Sequence, residues 1–383
     1  MGHAARRAGT AASPELTMRI GVVTTSYPRT PGDSAGNFVA GHVAALRALG
    51  HDVEVIAAGD AGDASDAGAM RIADRALFYR GGAPDRLERA PIRAGLAGAA
   101  FTARLVATVV RRARDWDAIV AHWLAPSALA ALPSTAPLTA IAHGGDIHTL
   151  RRLRLLAPVL HALHLRRARL VFVSEELRAI ARSAAPRLAS WLATAVVQPM
   201  GLDVAHFAAL GRAPTTPPTI LVAARLVPIK GVDVAIDAAS QLATRARLVI
   251  AGDGPERAAL AARVGSNPMI ELVGEVSATA RDQLLREASV VVVPSRVVAS
   301  GRTEGCPMIA LEALAAGVPV VASAVGGLAE RGAPIELVRA DDPPALARAI
   351  ARVLARPCSE AELRAAVVDL DWIDVANRLV RNK

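Results

Sequence analysis

Two carboxylates separated by seven residues stand in the segment Glu304-Gly-Cys-Pro-Met-Ile-Ala-Leu-Glu312. Pro307 suits the first turn of a helix, where a missing N–H leaves no bond unmade. The N–H groups around Gly305, Cys306 and Met308 would then form the positive end of that helix, a seat for phosphate. Glu304 belongs to the loop beside such a ligand. Glu312 lies within Met308-Ile-Ala-Leu-Glu-Ala-Leu-Ala-Ala, otherwise wholly apolar, so its carboxylate needs partners. A ribose diol offers two donors; the bland alternative is an amphipathic helix with one solvated Glu. A second element is Arg225-Leu-Val-Pro-Ile-Lys230-Gly, directly after an apolar run. A guanidinium fork and an ammonium point charge on a strand-end loop can clamp a diphosphate. Only two of the 44 basic residues are lysines, Lys230 and Lys383. Lys230 therefore reads as a site that needs the compact ammonium, against chance placement on a solvated loop.

These residues need a scaffold, and apolar periodicity supplies one. Met18 to Thr25, Val53 to Ala57, Ala118 to His122, a run ending at His143, and Leu170 to Val173 read as buried parallel strands separated by helices. Among those helices are Phe38 to Leu49 and Ile92 to Arg114. The pattern restarts after the Pro/Thr-rich stretch Ala213 to Pro218, with strands at Thr219–Ala223, Arg247–Ala251, Ile270–Val273, Val290–Val293 and Val318–Ala322. The fold class is therefore α/β, two doubly wound sheets, and ligands bind beyond the carboxyl ends of such strands. A chain of 383 residues exceeds one ordinary core and divides into two domains of about 190 residues. We expect a loose tail over 1–17, a first domain over 18–200, a hinge over 201–218 and a second domain over 219–364. A final helix, about Glu360 to Arg381, is long enough to return residues 365–383 to the first domain. Residues 60–69 read as a surface loop.

Composition narrows the partners. With 52% hydrophobic and 21% charged residues, general disorder is excluded. The net charge of +9 is uneven: residues 1–210 hold 24 arginines against 16 acids, residues 211–383 hold 20 basic against 19 acidic residues. Nucleic acid is disfavoured, because aromatics are only 3% and no zinc-finger spacing exists. Two cysteines, Cys306 and Cys358, cannot build a disulfide framework, so the chain reads as cytoplasmic. The span Ala118 to Gly145 carries almost no charge, yet its prolines divide it into strand, helix and strand. The Arg-rich clusters at Arg111–Arg114, Arg151–Arg154 and Arg166–Arg169 suggest an anionic membrane surface.

In order and spacing, the Arg225/Lys230 and Glu304/Glu312 elements resemble the retaining glycosyltransferases of family 4, which have the GT-B fold of two facing Rossmann-like domains. Tyr27-Pro28 to Gly36-Asn37-Phe38, His143-Gly-Gly-Asp146 and Gln198-Pro-Met-Gly201-Leu-Asp203 with Phe207 are similar to further family segments. So are Gly252-Asp-Gly254, Gly274-Glu-Val276, Pro294-Ser295, Gly326-Gly327-Leu-Ala-Glu330 and Asp371-Trp372. The resemblance implies catalytic positions at His143, Asp146 and Glu304. It implies donor-binding positions at Gly36, Arg225, Lys230, Gly274, Val276, Glu304, Gly305, Cys306, Met308 and Glu312. It further implies a nucleotide-diphospho-sugar donor, a lipid-linked or glycan acceptor, and neither metal nor other cofactor. Cys306-Pro307 departs from the commoner aromatic–Gly pair and leaves one fewer N–H for phosphate, and the stretch after Glu330 is short.

Other signals are weaker. Asp115-Trp-Asp117 has a metal-binding spacing but ends a helix, which favours capping and surface charge. His143, Asp146 and His148 could suggest a metal site, without a further ligand at the expected spacing. Cys306 at a helix N-terminus could be a nucleophile, with no base placed beside it. Competing functions are a nucleotide-sugar epimerase of the same fold and a non-catalytic nucleotide-sugar-binding partner.

Overall fold

Short runs rich in Val, Ile and Ala pair side by side into two wholly parallel sheets. The structure, a computed structural model, describes residues 17–30, 33, 35–60, 69–74, 77–78, 83–332 and 334–380. The expected tail, apart from Thr17, most of the loop at 60–69 and Lys383 lie outside the described residues. The first sheet comprises β1 (Arg19–Thr24), β2 (Asp52–Ala58), β3 (Ala69–Ile72), β4 (Ala118–His122), β5 (Leu138–Ala142), β6 (Arg169–Phe172) and β7 (Val196–Val197), in the order β3-β2-β1-β4-β5-β6-β7. The second comprises β8 (Thr219–Ala223), β9 (Arg247–Ala251), β10 (Ile270–Gly274), β11 (Val290–Val293), β12 (Val320–Ser323) and β13 (Glu336–Val338), in the order β10-β9-β8-β11-β12-β13. In both, strand order reverses beside the first strand, which opens a crevice at the carboxyl ends. Helices cover both faces, so β5 and β11 are buried at every residue.

The expected strands all form, with ends shifted by at most two residues. The three not foreseen, β3, β7 and β13, are edge strands of four, two and three residues. β7 and β13 are too short to carry a period, and in β3 the sequence Ala-Met-Arg-Ile is interrupted by Arg71 and buried only at Ile72. The Asp115-Trp-Asp117 segment is structural. Asp117 accepts the Arg19 N–H at 2.7 Å, and Trp116 donates to Glu54 at 2.9 Å while its ring fills the space above Gly21.

One expectation is corrected. The final helix is not continuous over Glu360–Arg381 but divides into Glu360–Ala365, a tight turn at Val368–Leu370, and Trp372–Val380. At Asp371 the chain passes between the sheets, and its backbone bonds turn sideways to do so. Leu202 N–H donates to the Leu370 carbonyl at 2.9 Å and Trp372 N–H to the Leu202 carbonyl at 3.1 Å. Leu363, Val367 and Leu370 pack in the second core, Val375, Ala376 and Leu379 in the first. Trp372 lies over Gly41 and Gly201, where any Cβ would meet its ring within 2.5 Å.

Candidate active site

The two crevices face each other across a cleft of about 2150 Å³. That exceeds the roughly 300–1,000 Å³ of a single small-ligand pocket and leaves room for two substrates. His143, Asp146, Arg225, Lys230, Val276, Glu304, Gly305, Cys306, Met308 and Glu312 all line it. Gly36 and Gly274 do not, although their neighbours Ala35, Asn37 and Glu275 do. Both glycines shape loops. Gly36 has φ +76° and begins the helix Asn37–Ala48 under the Ser26 carbonyl, where a Cβ would sit 2.4 Å from oxygen. Gly274 has φ +79° and accepts the Gly252 N–H at 2.6 Å.

On the second domain, the Lys230 loop is fixed at the strand ends by Gly231, at φ +60°, whose Cβ would lie 2.0 Å from the Pro294 carbonyl oxygen. Lys230 and Glu304 form an ion pair, and Ser295 Oγ–H donates to the second Glu304 oxygen at 2.8 Å. The two charges expected on different parts of a ligand thus hold each other here. Arg225 is exposed at the cleft. Pro307 is the residue before the helix Met308–Ala315, at φ −64° and ψ 115°, and not a member of its first turn. Cys306, Met308 and Ile309 give their N–H groups to no acceptor among the described residues. These groups are the positive end that the sequence suggested for an anion. Burial pushes the Cys306 thiol up to about 12, so it stays protonated, which is unsuited to a nucleophile.

Glu312 finds a partner that sequence reasoning missed. Arg281, on the helix Ala278–Glu287, lies 3.4 Å from Glu312 Oε1, stacks 5.3 Å over the Phe207 ring, and bonds Asp282 at 2.9 Å. Asp282 in turn meets His206 Nε2 at 2.8 Å. Burial raises the Glu312 pKa, and the Arg281 charge opposes this. No motif marks Arg281, because its role depends on a helix 31 residues away. Ser295 did carry a signal, in the Pro294-Ser295 pair.

On the first domain, His143 follows β5 and faces the Glu304 loop. Asp146 is the fastener of that turn. Its Oδ1 accepts N–H from His143 (3.2 Å), Gly144 (3.0 Å) and Ile147 (3.0 Å), and its Oδ2 accepts from Leu124 at 2.7 Å. With both oxygens so used, Asp146 acts through backbone geometry, not as a proton donor. The domains approach closely here: a Cβ on Gly305 would lie 2.6 Å from the His143 carbonyl oxygen. Gly327 N–H donates to the Gly305 carbonyl at 2.7 Å. Farther along, Glu330 accepts the N–H groups of Glu175 (2.7 Å) and Glu176 (2.5 Å), capping a first-domain helix from the second domain. Among the described residues no three His, Cys, Asp or Glu converge as ligands for a metal.

The buried histidines have a measurable consequence. Burial lowers His42 to about 4 and His143 to about 3, with His122 well below its ordinary 6.5. His148 falls to about 4, through burial and then the charges of Arg151 and Arg302. Between pH 6.5 and about 4 the unfolded chain binds protons that the native chain refuses, so stability falls as pH falls through that window. Asp146, Glu176, Glu256 and Glu312, each raised chiefly by burial, work in the opposite direction. As pH falls from 7, the first groups to take up protons in the unfolded chain are the histidines, whose ordinary value of 6.5 lies above the 3.8 and 4.5 of the carboxylates. Urea midpoints should therefore decline from pH 7 to pH 5, and a flat profile would contradict these burial states.

Residues 35–191 match the family Glycosyltransferase Family 4, and residues 217–356 match Glycosyl transferases group 1. The protein assigned to colanic acid biosynthesis as glycosyltransferase WcaL in Escherichia coli K12 is 34% identical over 171 residues, 42% of this chain and 41% of that one. A D-inositol 3-phosphate glycosyltransferase of Xylanimonas cellulosilytica is 36% identical over 122 residues, 30% of this chain and 28% of that one. The chain thus spans less than half the length of these curated relatives. Sucrose-phosphate synthase from Thermosynechococcus elongatus superimposes with a TM-score of 0.69 at 20% identity, over 94% of this chain and 97% of that one. Anabaena HepE in complex with UDP-glucose does so with a TM-score of 0.68 at 17% identity, over 94% and 98%. The family matches fall on the two parallel-sheet halves in chain order, and the solved structures superimpose over both halves. The chain thus carries a Glycosyltransferase Family 4 domain followed by a Glycosyl transferases group 1 domain, on the GT-B fold.

Proposed function

We propose that the cleft transfers a sugar from a UDP- or GDP-linked donor to a hydroxyl of a lipid-linked or polysaccharide acceptor, with retained configuration and without metal. The observation that carries this reading is convergence: Lys230, Glu304, Glu312 and the free N–H groups at Met308 meet on one wall, with His143 opposite. Arg225, Lys230 and the helix end would neutralise the departing diphosphate, and Glu312 would hold the ribose. The sugar carbon–phosphate oxygen bond breaks as the acceptor oxygen bonds to that carbon from the same face. The acceptor proton passes to a leaving phosphate oxygen, so no protein nucleophile is needed. HepE, a structural neighbour solved with UDP-glucose, lends support for such a donor class. Incubation with a panel of UDP-, GDP- and ADP-sugars in EDTA should release the nucleoside diphosphate, faster with membrane extract. Interconverted sugars would point instead to an epimerase, and binding without turnover to a non-catalytic partner.

We infer that the acceptor side works at the cytoplasmic face of an anionic membrane. Of the three arginine clusters, the first is partly occupied, Arg112 pairing with Glu54 at 2.7 Å, and the third is occupied otherwise. Arg166 donates to the Ala136 carbonyl, and Arg169 donates to the carbonyls of Arg378 and Leu379. The cluster at 151–154 is exposed, and Leu153 within it and Leu155 directly after it line the cleft. Across the cleft mouth, the helix Pro91–Arg112 leaves Ile92 79% and Leu96 70% exposed. That helix is long and apolar enough to cross a membrane, yet buries Phe101, Leu105 and Val109 in the first core. With about 1 kcal/mol per arginine at an anionic surface, replacing Arg151, Arg152 and Arg154 by Glu should abolish flotation with phosphatidylserine vesicles. Flotation that survives both this change and high salt would refute the surface assigned here.

A further inference from the structure

Two buried histidines, His42 and His122, have no part in the reaction described above. They join His143 in a continuous chain. His42 Nδ1 lies 3.1 Å from His122 Nε2, and His122 Nδ1 lies 3.0 Å from His143 Nε2. The first two are fully buried. Each comes from a different element: His42 from the helix Asn37–Ala48, His122 from the end of β4, and His143 from the turn after β5. Phe38, one turn before His42, packs at 5.0 Å on the His143 ring, and Trp123 packs at 4.9 Å from another side. At the far end, Trp372 stacks on His42 at 5.8 Å with 7° between the planes. The rings are thus held by aromatic packing, and His143 Nδ1 is the ring nitrogen left to meet a ligand.

We propose that His42 and His122 are positioning residues that fix His143 as a neutral donor whose Nδ1–H is presented to the cleft. Each ring is neutral at pH 7, given the lowered pKa values above, so each carries one N–H. Two N···N hydrogen bonds in a row then require all three protons to point the same way. If they sit on the Nε2 atoms, the chain ends at His42 with a buried N–H that has no acceptor. If they sit on the Nδ1 atoms, it ends with a bare Nε2 lone pair. His42 Nε2 is buried without a partner among the described residues. An orphaned donor is the rarer and costlier outcome, so the protons occupy Nδ1. His143 then donates from Nδ1 to an oxygen in the cleft, such as a sugar hydroxyl, and carries no charge there. The last clause rests on the transferase reading; the tautomer does not.

The test is therefore done first without any sugar. In the full-length protein with ring-labelled histidine, long-range proton–nitrogen NMR should find His42, His122 and His143 protonated at Nδ1 and bare at Nε2. Protonation of His143 at Nε2 would overturn the proposal. A pair of variants separates direction from packing. His42→Phe keeps the stack on Trp372 but removes the first donor, so the Nδ1–H signal of His143 should decline. His42→Asn returns an amide N–H near the Nδ1 position and should restore that signal. On nucleotide release, His42→Phe should lower kcat about fivefold to tenfold, the loss of one ordinary hydrogen bond, with little change in donor KM. His42→Asn should recover most of this. Equal impairment in both variants, with unaltered tautomers, would reduce His42 to a packing residue and end the proposal.

Discussion

Glu304→Gln should lower turnover by about 100-fold to 1,000-fold while leaving donor affinity within several-fold of the parent chain. That magnitude is the one found when a single group that stabilises transition-state charge is removed. The physical reason lies in the partners of Glu304. Ser295 Oγ–H donates to one carboxylate oxygen at 2.8 Å, and Lys230 pairs with the other. Glutamine keeps the shape and can still accept from Ser295, so the loop before the helix Met308–Ala315 stays in place. In the proposed transfer, what would disappear is a negative charge beside the reacting carbon, where positive charge grows as the sugar–phosphate bond breaks. Lys230, released from its carboxylate, becomes a stronger partner for the diphosphate, so binding should hold or tighten. Steady-state kinetics with calorimetric nucleotide binding would check both halves. An equal loss in kcat and affinity would mean that Glu304 binds substrate and transition state alike.

The second large effect is on binding. Replacing both Arg225 and Lys230 by Ala should weaken a nucleoside diphosphate by about 10²-fold to 10⁴-fold, since charge-assisted bonds contribute roughly 1.5–3 kcal/mol each. Uridine and guanosine diphosphates, titrated calorimetrically, would report it. Removal of Lys230 also leaves Glu304 without its cation, and Glu304 has a side chain only 12% exposed. Some loss of thermal stability should follow, and adding Glu304→Gln should recover it. Recovery of stability without recovery of binding separates the fold from the site. Nucleotide affinity unchanged in the double alanine variant would place the diphosphate elsewhere.

Much of the lining of this cleft was legible in the sequence, and the reason is locality. A strand-end loop such as Arg225–Lys230 and a helix start such as Glu304–Met308 are built by contiguous residues. Their chemistry follows from backbone geometry that short patterns encode. Apolar runs likewise announced the strands, except the edge strands β7 and β13, which are too short to show a period, and β3, whose run Arg71 interrupts. The single long helix expected at the C-terminus failed for the opposite reason. Its apolar residues serve two cores, and the crossing at Asp371 is dictated by Leu202, far away in sequence.

From the sequence alone came two parallel α/β halves, a phosphate-seeking wall on the second, and a surplus of positive charge on the first. Tertiary structure decided who partners whom. Glu312 needed a donor by virtue of its apolar helix, but that the donor is Arg281 follows from packing between helices. Lys230 and Glu304 read as separate ligand contacts and proved to be an ion pair. The histidine chain joins residues 80 and 21 positions apart, and Arg166 and Arg169, indistinguishable by composition from the exposed arginines, close backbone carbonyls. A side chain's type and local spacing limit what it can do. Which of those options it takes depends on the polar atoms that folding brings within about 3 Å, and no local pattern records those.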